Sequence, residues 1–230
     1  MIVSIHQPAY LPWLGYFDKI SKADLFIHLD TVQFQKNSFQ NRNKILTQQG
    51  PTWLTVPVLT KGQHFDIPLK ELEIDCRSKW RKKHLTSIRM NYAKAPQFEI
   101  IFPKLESIYN SEWEKLSALC EHMMRQFVEI LSIKTKIIIA SDMPLIDSKK
   151  SDLVLDLCRE AGADEYLSGA LGRDYLDLES FAKAGIKVTF QEYEHPEYKQ
   201  TYSGFVPAMG VVDLLMNAPD AHKFFSSGRE

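Results

Sequence analysis

The sequence lacks the cysteine pattern of a zinc site or of a disulfide-stabilised domain. Its cysteines, Cys76, Cys120 and Cys158, are odd in number and far apart, and no Cys-x-x-Cys pair occurs. Long apolar runs are missing too: residues 1–20 do not read as a secretory signal, and no later stretch is long enough to span a bilayer. These absences predict a cytoplasmic protein without a membrane span.

An excess of charge of either sign is also absent. The 230 residues include 28 lysines and arginines against 29 aspartates and glutamates, a formal net charge of -1. Such a balance produces no long-range field that would gather nucleic acid or an anionic membrane. Nucleic acid is therefore not expected as a partner, and the basic run at residues 77–83 is interpreted as the solvated face of a helix.

Hydrophobic patterns at both ends of the chain predict a single α/β domain over residues 1–230, with a Rossmann-like, mostly parallel sheet and helices on both faces. Residues 1–5 and 24–34 are apolar enough for buried strands, and the segment between them has helical spacing. Strands and helices alternate again from residue 136, with helices expected at 151–160, at 175–184 and from about Met209.

Two segments interrupt this alternation and are predicted to be insertions. Approximately residues 35–75 have the alternation of a β-ribbon, and Pro57 places its second strand at an edge. Approximately residues 76–133 have helical periodicity. In the first helix of that segment, one face carries Trp80, His84, Ile88 and Tyr92.

Polar side chains collect where the predicted strands of the sheet end. In open α/β sheets, ligands bind beyond the carboxyl ends of the strands. Four segments supply candidates for substrate binding: Gln7, Tyr10, Gln33, Lys36, Asn41, Arg42, Ser168, Gly169, Gly172, Arg173, Asp174, Gln191 and Tyr198. We expect the four segments to converge on one crevice.

The segment "SGALGRDY", residues 168–175, allows two interpretations. Its glycines would let backbone N–H groups face a phosphate or carboxylate, with Arg173 adding a guanidinium group. Alternatively, the segment is a tight turn in which Asp174 caps the following helix. The sequence leaves both interpretations open.

Histidines are the candidate proton acceptors. His6 and His195 follow predicted strands, imidazole titrates near neutral pH, and Asp30 completes the set of candidate catalytic residues. No Ser-His-Asp, Cys-His or His-x-x-x-His arrangement can be assembled. The sequence therefore predicts neither a covalent nucleophile nor a bound metal.

Five motifs resemble, in order, those of the WbqC-like family. They are "IHQPAYLPWLGYFDKI", "LDTVQFQKNSFQNRNKI", "WLTVPV", "YLSGALGRDYLD" and "FQEYEHPEYKQ", and with the later "DLLMN" they span almost the whole chain. The resemblance implies a bacterial protein of O-antigen or other surface polysaccharide biosynthesis, which transfers an acyl or amino-acyl group, such as glycyl, to an amino sugar. The chain departs from the family pattern at Met209 and Gly210.

A fainter similarity concerns the start of the chain. The spacing from Pro8 to Gly15, between a strand and a helix, is similar to the ATP-handling signature of class I aminoacyl-tRNA synthetases of the tryptophan and tyrosine kind. The histidine positions of that signature are occupied here by Trp13 and Tyr16. ATP is therefore the candidate cofactor, and nucleotide-dependent activation is a hypothesis.

The predicted function is a transferase that attaches an acyl or amino-acyl group to a nucleotide-linked amino sugar. In this interpretation Arg42 and Arg173 bind phosphate or carboxylate, and His6 or His195 takes the proton of the attacking amine. The alternative is a non-catalytic module that binds a sugar nucleotide or a glycosyltransferase partner in a biosynthetic complex. A homo-oligomer is compatible with either function.

Overall fold

The computed structural model of the chain describes residues 1–60 and 67–225. Residues 61–66 of the predicted ribbon segment and residues 226–230 of the predicted domain lie outside the described residues. The strands are β1 (Ile2–His6), β2 (Leu25–His28), β3 (Arg42–Thr47), β4 (Gly50–Thr55), β5 (Val58–Leu59), β6 (Glu73–Ile74), β7 (Lys136–Ile139), β8 (Glu165–Ser168) and β9 (Lys187–Phe190). The α-helices are α1 (Leu14–Ser21), α2 (Trp80–Tyr92), α3 (Phe98–Asn110), α4 (Leu116–Ile130), α5 (Lys150–Glu160), α6 (Leu178–Lys183) and α7 (Val211–Asn217).

Five of these strands form a central sheet in which all neighbouring strands are parallel. Their spatial order is β7-β2-β1-β8-β9. Strand β1 pairs with β2 as far as His6↔His28, but with β8 only as far as Ser4↔Leu167. Strands that follow β1 early in the chain lie on one side of it, and the late strands lie on the other, which is the Rossmann arrangement. The predicted fold class is confirmed.

Alternate residues of the sheet face two different helix layers. The side chains that face α5 and α6 are apolar: Val3, Ile5, Leu25 and Ile27. The opposite face, which α1 and α4 cover, carries polar side chains beside Phe26: Ser4, His6 and His28. Helices thus cover both faces, and one of the two covered faces is partly polar.

Antiparallel ribbons occupy the first predicted insertion. Strands β3 and β4 pair from Arg42↔Thr55 to Thr47↔Gly50, and β5 pairs with β6. The second strand of the β3–β4 ribbon ends at Thr55, earlier than expected, because Pro57 has no N–H group for the ladder.

Helices α2, α3 and α4 occupy the second insertion, and the face predicted for α2 is confirmed. Its residues Trp80, His84, Ile88 and Tyr92 are all buried. Farther along, the helix expected from residue 175 begins only at Leu178, because residues 170–174 form a 3-10 turn. The C-terminal helix begins at Val211, close to the expected position.

Gly210 lies where the C-terminal segment crosses the loop after β1. A Cβ atom at this position would lie 2.9 Å from the carbonyl oxygen of Leu11 and 3.2 Å from that of Lys44. Leu11 itself has φ of 44°, and its carbonyl accepts a hydrogen bond from Asn43 at 2.6 Å. A glycine at position 210 therefore permits this close backbone crossing, which a Cβ atom would obstruct.

Two histidines, His28 and His84, are buried in the interior and a third, His6, is partly buried; all three have lowered pKa values that favour the uncharged ring. Burial lowers the pKa of His28 to about 3 and that of His84 to about 4. Burial, assisted by the nearby Lys19, lowers the pKa of His6 to about 3. Neither ring nitrogen of His28 has a hydrogen-bond partner among the described residues. Protonation of any of the three would place a charge in an environment that does not stabilise it.

We expect the free energy of unfolding to fall steeply as the pH drops below about 6.5. Below that pH the histidines of the unfolded chain gain protons, whereas those of the folded chain stay neutral until the pH approaches their folded pKa. Each of the three histidines therefore lowers the free energy of unfolding by about 2 kcal/mol at pH 5. Urea unfolding at pH 8 and pH 5 measures the loss. His28→Leu should recover about 2 kcal/mol of it, while His222→Leu, at an exposed position, should recover none. Equal losses in wild type and His28→Leu would contradict the expectation.

Candidate functional site

The candidate site lies where β1 and β8 separate, at the reversal of the strand order. Their pairing ends at Ser4↔Leu167. Beyond this pair, Nζ of Lys19, on helix α1, donates a hydrogen bond to the carbonyl oxygen of Ile5 at 2.9 Å. In doubly wound sheets this crevice is where ligands bind. We call this edge of the sheet between β1 and β8 the crevice, and a lysine amine lies at it.

Lys19 is almost fully buried, with only 3% of its surface exposed. On its far side lies Gly169, where a Cβ atom would stand 4.0 Å from Nζ. Ile5 supplies the one hydrogen-bond acceptor that the described residues offer this amine, although an ammonium group has three N–H donors. Burial lowers the pKa of Lys19 to about 7. At neutral pH the amine is therefore poised between its charged and neutral forms.

The sequence analysis did not single out Lys19. Every residue of α1 from Leu14 to Ile20 is buried in the folded chain. A helix buried on all sides offers no face on which a lysine side chain reaches water. Lys19 is therefore a functional candidate that burial in the structure reveals and the sequence does not.

His6 forms the next part of the crevice wall. Its Nδ1 lies 2.9 Å from the carbonyl oxygen of Gln7, which fixes the N–H on Nδ1 in the neutral ring. Its ring meets those of Trp13 and Tyr16 edge-on, with centroids 5.3 Å and 4.9 Å apart. The imidazole is thus held in one orientation above the end of β1.

The end of β9 is attached to the first turns of α1. Nε2 of Gln191 donates to the carbonyl oxygen of Gly15 and to Oδ2 of Asp18, both at 2.7 Å, and its backbone N–H donates to Ser168 at 2.8 Å. The ring of Tyr193 packs on Gly15, where a Cβ atom would lie 3.0 Å from it. The hydroxyl of Tyr193 is buried and has no hydrogen-bond partner among the described residues. This segment closes the crevice on the β8 side.

The segment before β3 is attached to the end of β1. Nε2 of Gln40 donates to Oε1 of Gln7 at 2.6 Å, and Oε1 of Gln40 accepts from the backbone N–H of Gln35 at 2.7 Å. The backbone N–H of Tyr10 donates to the carbonyl oxygen of Phe39 at 3.0 Å. The β3–β4 ribbon therefore starts directly beside the crevice.

The structure brings part of the predicted set together at this crevice. The predicted residues whose contacts place them there are His6, Gln7, Ser168, Gly169 and Gln191. Their assignment to substrate binding or catalysis stays a prediction.

Three predicted residues have interior or structural positions instead. The hydroxyl of Tyr10 is fully buried and contacts Nδ1 of His84 at 2.8 Å and the hydroxyl of Tyr109. Asn41 donates to the carbonyl oxygen of Val56 at 2.8 Å. Asp30 accepts from the N–H and hydroxyl of Ser141, which joins the ends of β2 and β7. In each of the three, at least one polar group of the side chain has a partner within the fold, and the assignment to substrate binding or catalysis stays a prediction.

The loop after β8 has the geometry of a turn. The N–H of Gly172 donates to the carbonyl oxygen of Gly169 at 3.0 Å, so it does not face an anion. A Cβ atom at Gly172 would lie 2.0 Å from Oγ of Ser168, which explains the glycine. The cap of α6 is Asp177, whose Oδ1 accepts from the backbone N–H groups of Glu179 and Ser180, and Asp174 lies in the 3-10 turn. Of the two interpretations that the sequence left open, the turn is observed, but Asp174 is not the helix cap, because the 3-10 turn delays the helix start.

Arg173 also lies apart from Lys19 and His6. Its guanidinium group stacks over the ring of Phe190 at 4.2 Å and lies 4.0 Å from Glu192. Gln33 and Lys36 are exposed in the segment before the ribbon. Arg42 lies on the ribbon itself.

His195 and Tyr198 belong to the segment that precedes α7. Both ring nitrogens of His195 are used by the backbone: Nδ1 lies 3.0 Å from the carbonyl oxygen of Pro196, and Nε2 accepts from the N–H of Ala208 at 3.2 Å. This arrangement gives His195 a role in ordering its own loop. The ring stacks on Tyr198 with centroids 6.4 Å apart.

Asp213 of α7 is the centre of a buried polar cluster. Its carboxylate accepts hydrogen bonds from the hydroxyls of Tyr92 and Tyr198 at 2.7 and 2.8 Å and from Nε2 of Gln200 at 2.8 Å. Burial raises the pKa of Asp213, and the three donors offset part of that rise. The cluster joins α2, α7 and the loop between β9 and α7.

Residues 1–60 and 67–225 contain neither a membrane-spanning helix nor a metal-binding group of side chains. None of the helices there has the length and apolar character needed to cross a membrane. No group of three or more histidine, cysteine, aspartate or glutamate side chains in the same ranges is arranged to hold a metal ion.

The strand order and the crevice at its reversal define a Rossmann-like α/β protein. The chain belongs to the WbqC-like protein family, whose sequence model matches residues 7–223. It is 39% identical over 224 residues to the uncharacterized protein Rv1507c of Mycobacterium tuberculosis, an alignment that covers 95% of this chain and 96% of that one. Comparison with the solved structures finds no match.

Proposed function

We propose that the crevice between β1 and β8 transfers an acyl or amino-acyl group, such as glycyl, to a nucleotide-linked amino sugar during surface polysaccharide biosynthesis. Membership of the WbqC-like family supports the polysaccharide setting. The observation that carries the proposal is the buried amine of Lys19 at the sheet's ligand-binding edge. A buried lysine with unused donors is costly to keep unless a substrate group meets it.

Acyl transfer to an amine requires a proton acceptor and a hydrogen-bond donor to the reacting oxygen, and we propose that side chains of this crevice supply both. The sugar nitrogen forms a bond to the acyl carbon while the bond to the leaving group breaks, and the nitrogen must lose a proton. After it accepts a proton, the ammonium group of Lys19 has N–H donors that are suited to hold the leaving-group oxygen. The proton goes to a basic side chain beside the reacting atoms.

Lys19 is better matched to accept that proton than either predicted histidine. A general base works best when its pKa is close to the operating pH, and the pKa of Lys19 is about 7. The pKa of His6 is about 3, so its neutral ring is a weak base. We assign proton transfer to Lys19 and the orientation of the acceptor to His6 and Gln7.

The alternative is a binding module that holds a sugar nucleotide or a glycosyltransferase without chemistry. One observation favours it: both ring nitrogens of His195 are used by backbone groups, which leaves this predicted base without a free position. In that case Lys19 would bind an anion only.

A transfer assay distinguishes the two functions. The protein is incubated with nucleotide-linked amino sugars, ATP and amino acids, and mass spectrometry follows the sugar. We expect an increase equal to one acyl or amino-acyl residue that requires the protein. Binding of the nucleotide sugar without any mass change over a broad panel of donors would instead identify the binding module.

A further inference from the structure

One face of the β3–β4 ribbon, together with Phe39 just before it, carries two exposed aromatic rings and two cations. Trp53 is 41% exposed and Phe39 is 44% exposed, with ring centroids 5.8 Å apart. The guanidinium carbon of Arg42 lies 4.5 Å from the centroid of the Trp53 ring, and Nζ of Lys44 lies 5.0 Å from it. Large aromatic rings that remain exposed in this way are typical of binding surfaces.

Both cations lack acidic partners in the described chain. No aspartate or glutamate of residues 1–60 and 67–225 forms an ion pair with Arg42 or Lys44. One terminal nitrogen of Arg42 donates to the carbonyl oxygen of Asn37, while its buried Nε has no hydrogen-bond partner among the described residues. The two side chains therefore place positive charge over the Trp53 ring, and an anion bound beside that ring would neutralise it.

A row of rings joins this face to the crevice. Phe39 contacts Trp13 with centroids 5.4 Å apart, and Trp13 contacts His6 at 5.3 Å. The row runs from Trp53 on the ribbon to the end of β1, where Lys19 holds the carbonyl oxygen of Ile5. A ligand that lies along it would have one end on the ribbon and the other in the crevice.

We infer that the ribbon face formed by Phe39, Arg42, Lys44 and Trp53 binds the nucleoside diphosphate half of the acceptor. The base stacks on the exposed rings, and the diphosphate meets the two cations. The amino sugar then extends past Trp13 to the crevice. This inference rests on the proposed function, because it takes the acceptor to be a nucleotide-linked sugar.

A second basic surface is the competing location. A groove of about 720 Å³ between the β3–β4 turn and α2 is lined by Lys79, Lys82 and Lys83 among other polar residues. It offers charge for an anion. Among the described residues it lacks a pair of exposed rings like Phe39 and Trp53, which would favour a base, and no ring contact there joins it to His6. The ribbon face is therefore the better site for a nucleotide.

Calorimetry with UDP, CDP, GDP and dTDP tests the inference, with inorganic pyrophosphate as a probe without a base. We expect at least one nucleotide to bind. Trp53→Leu should weaken its binding about 5- to 100-fold, the effect of losing one stacked base, without altering that of pyrophosphate. The double variant Arg42→Met, Lys44→Met should weaken both. The matched double variant Lys82→Met, Lys83→Met removes the same charge at the α2 groove and should leave both unchanged.

Three results would overturn the inference. They are a failure of all four nucleotides to bind, unchanged binding in Trp53→Leu, or a loss caused by the variant in the α2 groove instead. A change of oligomeric state in Trp53→Leu, measured by light scattering, would likewise show that the rings contact a second copy of the chain.

The transfer assay separates this inference from the proposed function. If transfer occurs, Trp53→Leu should raise KM for the nucleotide-linked acceptor more than it lowers kcat. Transfer with an unchanged KM would refute the ribbon site and leave the proposed function intact. Nucleotide binding that depends on Trp53, without any transfer, would refute the proposed function and leave the ribbon site intact.

Discussion

Lys19→Met is expected to lower the rate of group transfer by about a hundred- to ten-thousandfold, the range associated with loss of a general base. Methionine keeps the unbranched shape and apolar stem of the lysine but has no N–H donor and no basic nitrogen. The hydrogen bond to Ile5 disappears with the amine. Steady-state rates of acyl transfer measure the effect, with Lys183→Met as the control because Lys183 is an exposed partner of Glu179.

The same substitution is expected to stabilise the fold at neutral pH. The pKa of Lys19 falls from 10.5 to about 7 in the folded chain, so the unfolded chain binds a proton that the folded chain excludes between these values. At about 1.4 kcal/mol per unit, this burial costs at most roughly 5 kcal/mol at pH 7, and stability rises as the pH increases toward 10. Urea unfolding at pH 7 and pH 10 should show this rise in the wild type to be larger than in Lys19→Met.

A loss of activity that accompanies a gain of stability identifies a residue kept for function. A structural lysine would give the reverse result: Lys19→Met would unfold more easily, and any loss of transfer would follow from that. Unchanged transfer in a well-folded variant would remove Lys19 from the proposed chemistry.

Asp213→Ala is expected to lower the free energy of unfolding by about 3–5 kcal/mol. The substitution leaves the hydroxyls of Tyr92 and Tyr198 and the amide of Gln200 without their acceptor in the interior. Each unsatisfied buried donor costs about 1–3 kcal/mol. Urea unfolding at pH 7 measures the loss.

Two further variants define the cause of that loss. Asp213→Asn keeps the size and one acceptor oxygen, so its loss should be smaller than that of alanine. Asp220→Ala removes an exposed carboxylate paired with Lys223 at 3.3 Å and should cost less than about 0.5 kcal/mol. Equal losses in the alanine and asparagine variants at position 213 would mean that packing, and not hydrogen bonding, holds this cluster.

The sheet could be predicted because its strands are short, apolar and followed by helical spacing. The strand predicted over residues 24–34 is β2, although β2 itself covers only Leu25–His28. The buried face of α2 was predicted from the helical spacing of the apolar residues that end at Tyr92. Such patterns depend on neighbouring residues alone. Strand ends such as Thr55 were less predictable, because a single proline or 3-10 turn shifts them.

The candidate site was harder to predict, because contacts between distant segments build it. Gln191 was expected to bind substrate, but its amide is held by Gly15 and Asp18, which nothing near residue 191 reveals. His195 lies in a long segment without helices or strands, so its backbone partners depend on a loop path that periodicity does not describe. Lys19 was overlooked because a lysine in a helix usually reaches water.

The position of β1 has a consequence for the growing chain. Of the five strands in the central sheet, β1 is synthesised first, yet it becomes the middle of the sheet, and its partner β8 begins only at Glu165. Until then one edge of β1 has no partner from the chain and is open to pairing with other polypeptides. Because Lys19 and Gly169 meet only when β8 docks, a nascent chain acquires its sheet and its crevice in the same late step.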